Sequence, residues 1–185
     1  VVPSTWDNEH VTPYSFDIEL ADNTISARYA VAPQSAIYDI SPMEQGKPFY
    51  IMLNSQRGAV TVGDGFVSGY QQVTDGTKVY IYAETDTKPA AAGILKDGSL
   101  NTSLSKAEGN DACAALRFAD GTRRVSLRYG VSFISEEQAR KNLYREQKGF
   151  DLEAVERAGR DKWNATLSKI RVTGGTDDQK TVLYT

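Results

Sequence analysis

The chain has 185 residues, of which 40% are hydrophobic and 24% are charged, as is ordinary for a globular protein. Its formal net charge of −3 argues against a nucleic-acid-binding face, which needs clustered Lys and Arg. No run approaches the ~20 apolar residues of a membrane-spanning helix. The length predicts one domain, with or without an appendage.

Cysteine and histidine each occur once, as Cys113 and His10. A single cysteine excludes both an intramolecular disulfide framework and a cysteine-based metal site. Cys113 lies in an apolar run, where a free cysteine usually behaves as a small buried hydrophobe. A nucleophilic cysteine would need a histidine partner, and Cys113 with His10 is the one such pair that the sequence allows.

Short stretches of alternating polarity, separated by turn signals, fill most of the chain in order. Residues 1–12 predict a leading segment broken by Pro3 and Pro13, with Trp6 as an anchor. Residues 14–20 and 25–31 alternate around a turn at 21–23 and predict a β-hairpin. Glycines between residues 58 and 73 predict bulges, bends or close backbone approach. Further strands are predicted at residues 35–40, 49–53, 78–83, 89–95, 99–105 and 112–118, with a loop at 108–110.

The last predicted strand has the clearest alternation. The residues on one face are apolar and those on the other are mostly polar, a pattern that predicts a half-buried strand. The apolar face carries Val125, Leu127, Tyr129, Val131 and Phe133, and the other face carries Arg124, Ser126, Arg128, Gly130 and Ser132.

Helical signals follow that strand. Ser135 and Gln138 form a capping-box pattern, in which the hydroxyl caps the first turn and the amide reaches back. Asp151 is a predicted N-cap for a helix to about Ile170. One stripe of that helix is apolar or small and comprises Val155, Gly159, Trp163, Leu167 and Ile170. No element is predicted for residues 176–185.

These patterns predict a mainly β fold. About ten short strands without a helical crossover before residue 135 favour an antiparallel β-sandwich or barrel, and we predict the sandwich, followed by one or two linker helices. The predicted organisation is a sandwich domain at residues 1–134, a helical linker at 135–172, and a final segment at 173–185.

Several stretches resemble one enzyme family, in the family's own order. The strongest is RYGVSFISEEQARKNLYREQ at residues 128–147, followed by FD at 150–151, KWN at 162–164 and LSKIRVTGGT at 167–176. Earlier matches cover residues 8–20, 25–40 and 68–86. The chain resembles glycoside hydrolase family 92, the calcium-dependent exo-α-mannosidases. The matched region is the family's N-terminal β-sandwich and the linker that leads into a catalytic (α/α) barrel.

The resemblance implies a division of labour. It places the general acid, the general base and the calcium ligands on the barrel. It therefore implies no catalytic residue, metal ligand or cofactor in this chain, and it implies calcium for the full-length enzyme. It implies that residues 1–134 lack the first part of the sandwich, and that 173–185 begin the barrel or form a disordered tail. The implied enzyme is bacterial, secreted or periplasmic, and inverts configuration at terminal α-linked mannose of glycans. Its implied partners are the barrel of the same chain and mannose-containing glycans.

Acidic side chains are the first candidates for chemistry, because a glycosidase needs two carboxylates across the scissile bond. Those in or near predicted loops are Asp64, Asp75, Glu84, Asp86 and Asp97. Asp75-Gly76 and Asp97-Gly98 are explained as turn formers. The densest acidic clusters, at residues 84–86 and 177–178, lack the pattern of a calcium-binding loop. We therefore predict neither a catalytic pair nor a metal site here.

Aromatic residues leave a second interpretation open. The chain has ten tyrosines and two tryptophans, and Tyr70, Tyr80 and Tyr82 would form a sugar-stacking platform if they shared an exposed face. Packing across strands explains the same residues, since aromatics are favoured in strands. Trp163 is expected to anchor its helix in the core or at a domain interface. The alternative to a non-catalytic α-mannosidase domain is thus a stand-alone carbohydrate-binding module, with its substrate-binding residues undetermined.

Overall fold

A computed structural model describes residues 5–20, 24–43 and 46–184. Pro3, the predicted turn at 21–23, part of the loop before Lys47 and the side chain of Asp75 lie outside the described residues. Within the described part, the strands are β1 (Trp6–Val11), β2 (Ser15–Leu20), β3 (Ile25–Val31), β4 (Ser35–Pro42), β5 (Phe49–Gly63), β6 (Phe66–Gln72), β7 (Lys78–Thr85), β8 (Ala91–Lys96), β9 (Ser99–Asn101), β10 (Lys106–Phe118) and β11 (Val125–Ser132). The helices are α1 (Glu136–Glu146), α2 (Leu152–Leu167) and α3 (Asp177–Tyr184). None of the described helices is long and apolar enough to cross a membrane.

The described strands form one continuous antiparallel sheet in the order β1-β2-β3-β4-β11-β7-β6-β5-β10-β8-β9. The long strands β5 and β10 pair along most of their lengths, while the end of β5 also pairs with β6 and the end of β10 with β8. Apolar side chains from both ends of β5 enter the same buried cluster, which also takes residues from β6, β7, β8, β10 and β11. The sheet therefore folds over onto itself around one core. The predicted mainly β sandwich followed by helices is confirmed.

Two glycines allow the β5 and β6 backbones to approach closely. A Cβ atom placed on Gly58 would lie 1.9 Å from the carbonyl oxygen of Tyr70, and one on Gly69 would lie 2.1 Å from that of Ala59. Since real Cβ atoms do not make such contacts, only glycine fits at either position. The close backbone approach predicted for the glycine-rich stretch is confirmed at these two residues.

The loop predicted at residues 108–110 is wrong, because β10 continues through it. Gly109 and Asp111 have φ angles of 115° and 58°, and the pairing with β5 skips Asp111. The register does not change there, since Asn110 lies opposite Arg57 and Ala112 opposite Ser55. The positive φ angles therefore mark a local irregularity inside a long, continuously paired strand, which local sequence cannot distinguish from a turn. By contrast, Asp97 and Gly98 both have positive φ and join β8 to β9 as the predicted two-residue turn.

The N-terminal end also differs from its prediction. Residues of the expected leading segment form β1, which pairs with β2 at the edge of the sheet. Trp6 is 65% exposed, so its predicted role as an anchor is wrong. Pairing in this strand uses backbone groups, and its side chains carry no apolar alternation that could have indicated it. The hairpin of β2 and β3 is confirmed, with its register running from Ser15 opposite Ala30 to Leu20 opposite Ile25.

Strand β11 is covered on both faces, and the prediction of a half-buried strand is wrong. The residues expected to face solvent, among them Ser126, Arg128 and Ser132, are buried. Helix α1 packs on this face, and a Cβ atom on Gly130 would lie only 2.2 Å from the Ala139 carbonyl oxygen. The polar face of β11 therefore packs against helix α1 instead of contacting solvent.

The helix starts follow the capping signals in part. Ser135 accepts a hydrogen bond from the Gln138 backbone N–H at 3.1 Å, but the Gln138 side chain donates to Asn142 and does not reach back. Asp151 caps α2 by accepting from Ala154 N–H at 2.8 Å, as predicted, and α2 ends at Leu167. Residues 177–184 form α3, where no element was predicted.

Candidate functional site

The candidate acids serve the fold. Glu84 pairs with Arg128 and accepts a hydrogen bond from the Tyr144 hydroxyl at 2.8 Å. Asp86 accepts from the Ser126 backbone N–H at 2.9 Å, and exposed Asp64 pairs with Lys88 at 2.9 Å. Each of these carboxylates is thus held by a structural partner.

The described residues offer no ligand set for the calcium that the sequence resemblance implies for the full-length enzyme. Among the residues described here, no group of three or more His, Cys, Asp or Glu side chains is placed to hold a metal ion. Calcium takes six to eight oxygen ligands, several of them normally carboxylates. No step of a reaction is therefore assigned to a metal bound by these residues.

Cys113 and His10 do not form a nucleophile and base. Cys113 is buried on β10, where burial raises the pKa of its thiol and so disfavours the reactive thiolate. His10 is exposed on β1, and seven strands lie between β1 and β10 in the sheet. The sequence-allowed pair is not assembled.

The predicted tyrosine platform is only partly assembled. Tyr70 and Tyr80 are cross-strand neighbours with ring centroids 5.7 Å apart, but their planes are inclined by 51°. Tyr82 lies beneath α1, 6.4 Å from the Tyr144 ring, and burial is the main cause that raises its pKa. Since a sugar face needs flat, accessible rings, this arrangement favours packing.

A buried arginine joins the sheet to the turn between α1 and α2. The guanidinium of Arg128 contacts Glu84 through Nε at 2.8 Å and through Nη2. Its Nη1 donates to the carbonyl oxygens of Gln147 and Gly149 at 3.1 and 3.2 Å. The Phe150 ring lies 4.6 Å from the guanidinium carbon. The Arg128 side chain therefore forms an ion pair with a carboxylate, donates hydrogen bonds to two backbone carbonyl oxygens and makes a cation–π contact with an aromatic ring.

Further polar contacts hold the helices α1 and α2 against the sheet; this contact region around Arg128 is called the joint below. Glu146 accepts hydrogen bonds from the Gln34 backbone N–H and the Ser35 hydroxyl, at 3.0 and 2.8 Å. Arg28 on β3 reaches α2 through Glu153 at 2.9 Å and Glu156 at 3.4 Å. The N-terminal half of α2 is thereby held on the sheet, where Leu152 packs in a small core of its own.

The C-terminal half of α2 projects beyond this packing. All residues from 161 to 170 are exposed. Trp163 is 44% exposed, so of its two predicted roles the core anchor is wrong, and the anchor at a domain interface stays a prediction. Between α2 and the loops at the ends of β2 and β3 lies a groove of about 860 Å³. Its walls include Tyr14, Val31 and Pro33 on the sandwich side, and Ala158, Gly159 and Trp163 on α2.

Sequence reasoning missed the Arg128–Glu84 pair and the groove. The two charged residues are 44 positions apart on β11 and β7, and nothing local links them. The apolar stripe of α2 did indicate an interface, although it did not indicate which half would be covered.

Two family models match the chain. The glycosyl hydrolase family 92 N-terminal domain matches residues 2–132, and the family 92 catalytic domain matches residues 138–185. The boundary between the two matches falls at the start of α1. No curated protein matches the chain.

Solved structures share the fold. An inverting mannosidase of family GH92 from Bacteroides thetaiotaomicron has a TM-score of 0.82 at 23% identity, over 95% of this chain and 25% of its own. A GH92 α-mannosidase from the same organism has a TM-score of 0.80 at 20% identity, over 93% of this chain and 26% of its own. The GH92 glycosyl hydrolase ccman5 has a TM-score of 0.78 at 23% identity, over 98% of this chain and 28% of its own. The chain spans about a quarter of the length of these proteins.

Proposed function

The chain belongs to glycosyl hydrolase family 92, and on that premise we propose that it is the non-catalytic N-terminal part of an α-mannosidase. The full-length enzyme acts on terminal α-linked mannose of glycans, with calcium bound by its barrel. Residues 1–134 form the sandwich domain, 135–172 the helical linker and 173–185 the start of the barrel domain. The enzyme is secreted or periplasmic in a bacterium.

The observation that carries this proposal is the extent of the two family matches. The N-terminal domain match ends at residue 132, and the catalytic domain match covers only residues 138–185, while the solved relatives are about four times as long as this chain. The pairing of Glu84 with Arg128 supports the same conclusion, because the Glu84 side chain is only 16% exposed and a glycosidase acid must be available to the substrate. The role of this part is to support and help shape an active site built on the barrel.

The test compares the segment with the full-length protein. Both are assayed for release of mannose from α-mannobiose, with and without a calcium chelator. We expect activity from the full-length protein alone, and its loss on chelation. Hydrolysis by residues 1–185 would overturn the proposal.

A stand-alone carbohydrate-binding module is the second candidate, and the shared face of Tyr70 and Tyr80 is its one supporting feature. Calorimetric titration of the segment with mannobiose addresses it directly. The module predicts saturable binding that Tyr80→Ala abolishes. The proposed non-catalytic domain predicts no binding by the segment alone.

A further inference from the structure

Aspartate followed by glycine occurs four times in the chain, at residues 64–65, 75–76, 97–98 and 120–121. At such a step the backbone nitrogen of the glycine can attack the aspartate carboxyl carbon, because glycine has no Cβ atom to hinder the approach. The side chain of Asp75 lies outside the described residues. The other three steps all lie in turns, and they differ in how firmly the structure holds them.

Two of these three aspartates have carboxylates that are held by a cation. Asp64 accepts a hydrogen bond from Lys88 Nζ at 2.9 Å, and Asp120 accepts one from Arg117 Nη2 at 2.8 Å. A carboxylate held in this way must leave its partner before its carbon can meet the backbone nitrogen. Both contacts lie at the surface and are individually weak, so they slow the attack without preventing it.

The third aspartate, Asp97, is exposed and has no such partner. Its carboxylate makes neither a hydrogen bond nor an ion pair within the described part of the chain. Its carboxyl carbon is therefore free to rotate toward the nitrogen of Gly98.

The turn at Asp97-Gly98 is also the least supported of the three. It joins β8 to β9, and β9 is a three-residue strand at the end of the sheet that pairs, among the described strands, with β8 alone. The turn at Asp64 joins β5 to β6, each of which pairs on both sides. Asp120 lies in a turn closed by two hydrogen bonds to the Ala119 carbonyl oxygen, from the Thr122 N–H at 3.1 Å and its hydroxyl at 2.7 Å. Local opening, which the attack requires, costs least at a short edge strand.

We propose that Asp97 is a site of spontaneous isomerisation to isoaspartate. The Gly98 nitrogen forms a bond to the Asp97 carboxyl carbon, and the carboxyl hydroxyl leaves as water with the amide hydrogen. Water then adds to one of the two carbonyl carbons of the five-membered imide that results. Breaking the new C–N bond regenerates aspartate, whereas breaking the original peptide bond gives isoaspartate, with one more methylene group in the backbone. Water is the only other reactant.

The additional methylene group would end the pairing of β9. A two-residue turn fixes the register in which Lys96 lies opposite Ser99 and Leu95 opposite Leu100. One more backbone atom in the turn is incompatible with that register, so β9 would separate from β8. The modification would therefore leave β8 as the edge of the sheet.

The experiment is prolonged incubation of the full-length enzyme at mildly acidic pH, with isoaspartate quantified by peptide mapping and electron-transfer fragmentation. We expect isoaspartate to accumulate at Asp97 several-fold faster than at Asp64 or Asp120. The variant Gly98→Asn keeps a residue type that tolerates the positive φ of this position, but adds a Cβ atom beside the attacking nitrogen, so accumulation at Asp97 should fall several-fold.

A second measurement follows β9 directly. Hydrogen exchange in residues 99–101 should become faster as wild-type protein is incubated, and should stay constant in the control Asp97→Ser, which keeps the turn position but has no carboxyl group. Constant exchange in a wild-type sample that contains isoaspartate at Asp97 contradicts the loss of β9.

Three results contradict the assignment of the site. They are the absence of isoaspartate at Asp97, accumulation at Asp64 or Asp120 as fast as at Asp97, and unchanged accumulation at Asp97 in Gly98→Asn. None of these readouts depends on mannosidase activity, so failure of the proposed function is seen separately.

Discussion

Replacing Arg128 by Met tests whether the joint between sheet and helices depends on one buried cation. Arg128 is 8% exposed, and its partner Glu84 has a side chain that is 16% exposed. Methionine keeps the apolar stem but leaves the carboxylate and the carbonyls of Gln147 and Gly149 without their donor. Breaking a buried ion pair in this way costs about 3–5 kcal/mol. For a chain of this length, that corresponds to a fall in Tm of roughly 6–20 °C.

The assay is urea denaturation of the chain followed by circular dichroism, with Arg123→Met as the control. Arg123 is exposed and lies just before β11, so its loss should change stability by less than about 0.5 kcal/mol. The double variant Arg128→Met with Glu84→Gln should be more stable than Arg128→Met alone, because no uncompensated charge is then buried. If Arg128→Met is no less stable than Arg123→Met, the reasoning about this joint fails.

Three further predictions concern packing and titration. Gly130→Ala should destabilise the chain by about 1–3 kcal/mol because its methyl group would collide with α1, whereas Gly149→Ala, with open space around it, should not; denaturant midpoints compare them. Trp163→Ala in this chain should cost about 1 kcal/mol or less by the same measurement, well below the 3–5 kcal/mol of a fully buried aromatic, and a larger loss would contradict its exposure. Burial raises the pKa of Tyr129, and the hydrogen bond with Tyr29 raises it further, so the folded state resists ionisation. The resulting stability is fully present below the unfolded pKa of about 10 and is lost as pH rises, so thermal melts above about pH 10 should show a smaller decline for Tyr129→Phe than for the wild type.

Elements with a complete local signal were predictable. The hairpin of β2 and β3 carries alternation on both sides of its turn, and Asp97-Gly98 has the residues that a two-residue turn requires. Asp151 has an acceptor where α2 needs one. Each of these features is determined by residues that are close in sequence, so the local sequence pattern is enough to predict it.

The errors have three physical causes. Strand β11 was assigned a solvent face because helix α1, which covers it, is absent from the strand's own pattern. The irregular stretch at Gly109 and Asp111 has the residues of a turn, and only its pairing with β5 makes it part of a strand. Helix α3 did have a signal, since Thr176 caps Gln179 N–H at 3.2 Å, as in a capping box, but its shortness hid it.

The roles of the candidate site residues were less predictable from the sequence than the strands and helices were. The acids and tyrosines could be identified by type, but their partners come from distant strands and from α1. Arg128 was placed among residues expected to face water, and its burial depends on Glu84, Gln147 and Gly149 meeting it in three dimensions. Sequence could therefore indicate the candidates and could not assign their roles.

The central claim is that this chain is the non-catalytic N-terminal part of an α-mannosidase. The most direct measurement is mannose release from α-mannobiose by residues 1–185 and by the full-length protein, at equal concentration. We predict mannose release by the full-length protein and none by residues 1–185. Turnover by the segment itself, or the absence of mannosidase activity in the full-length protein, would contradict it.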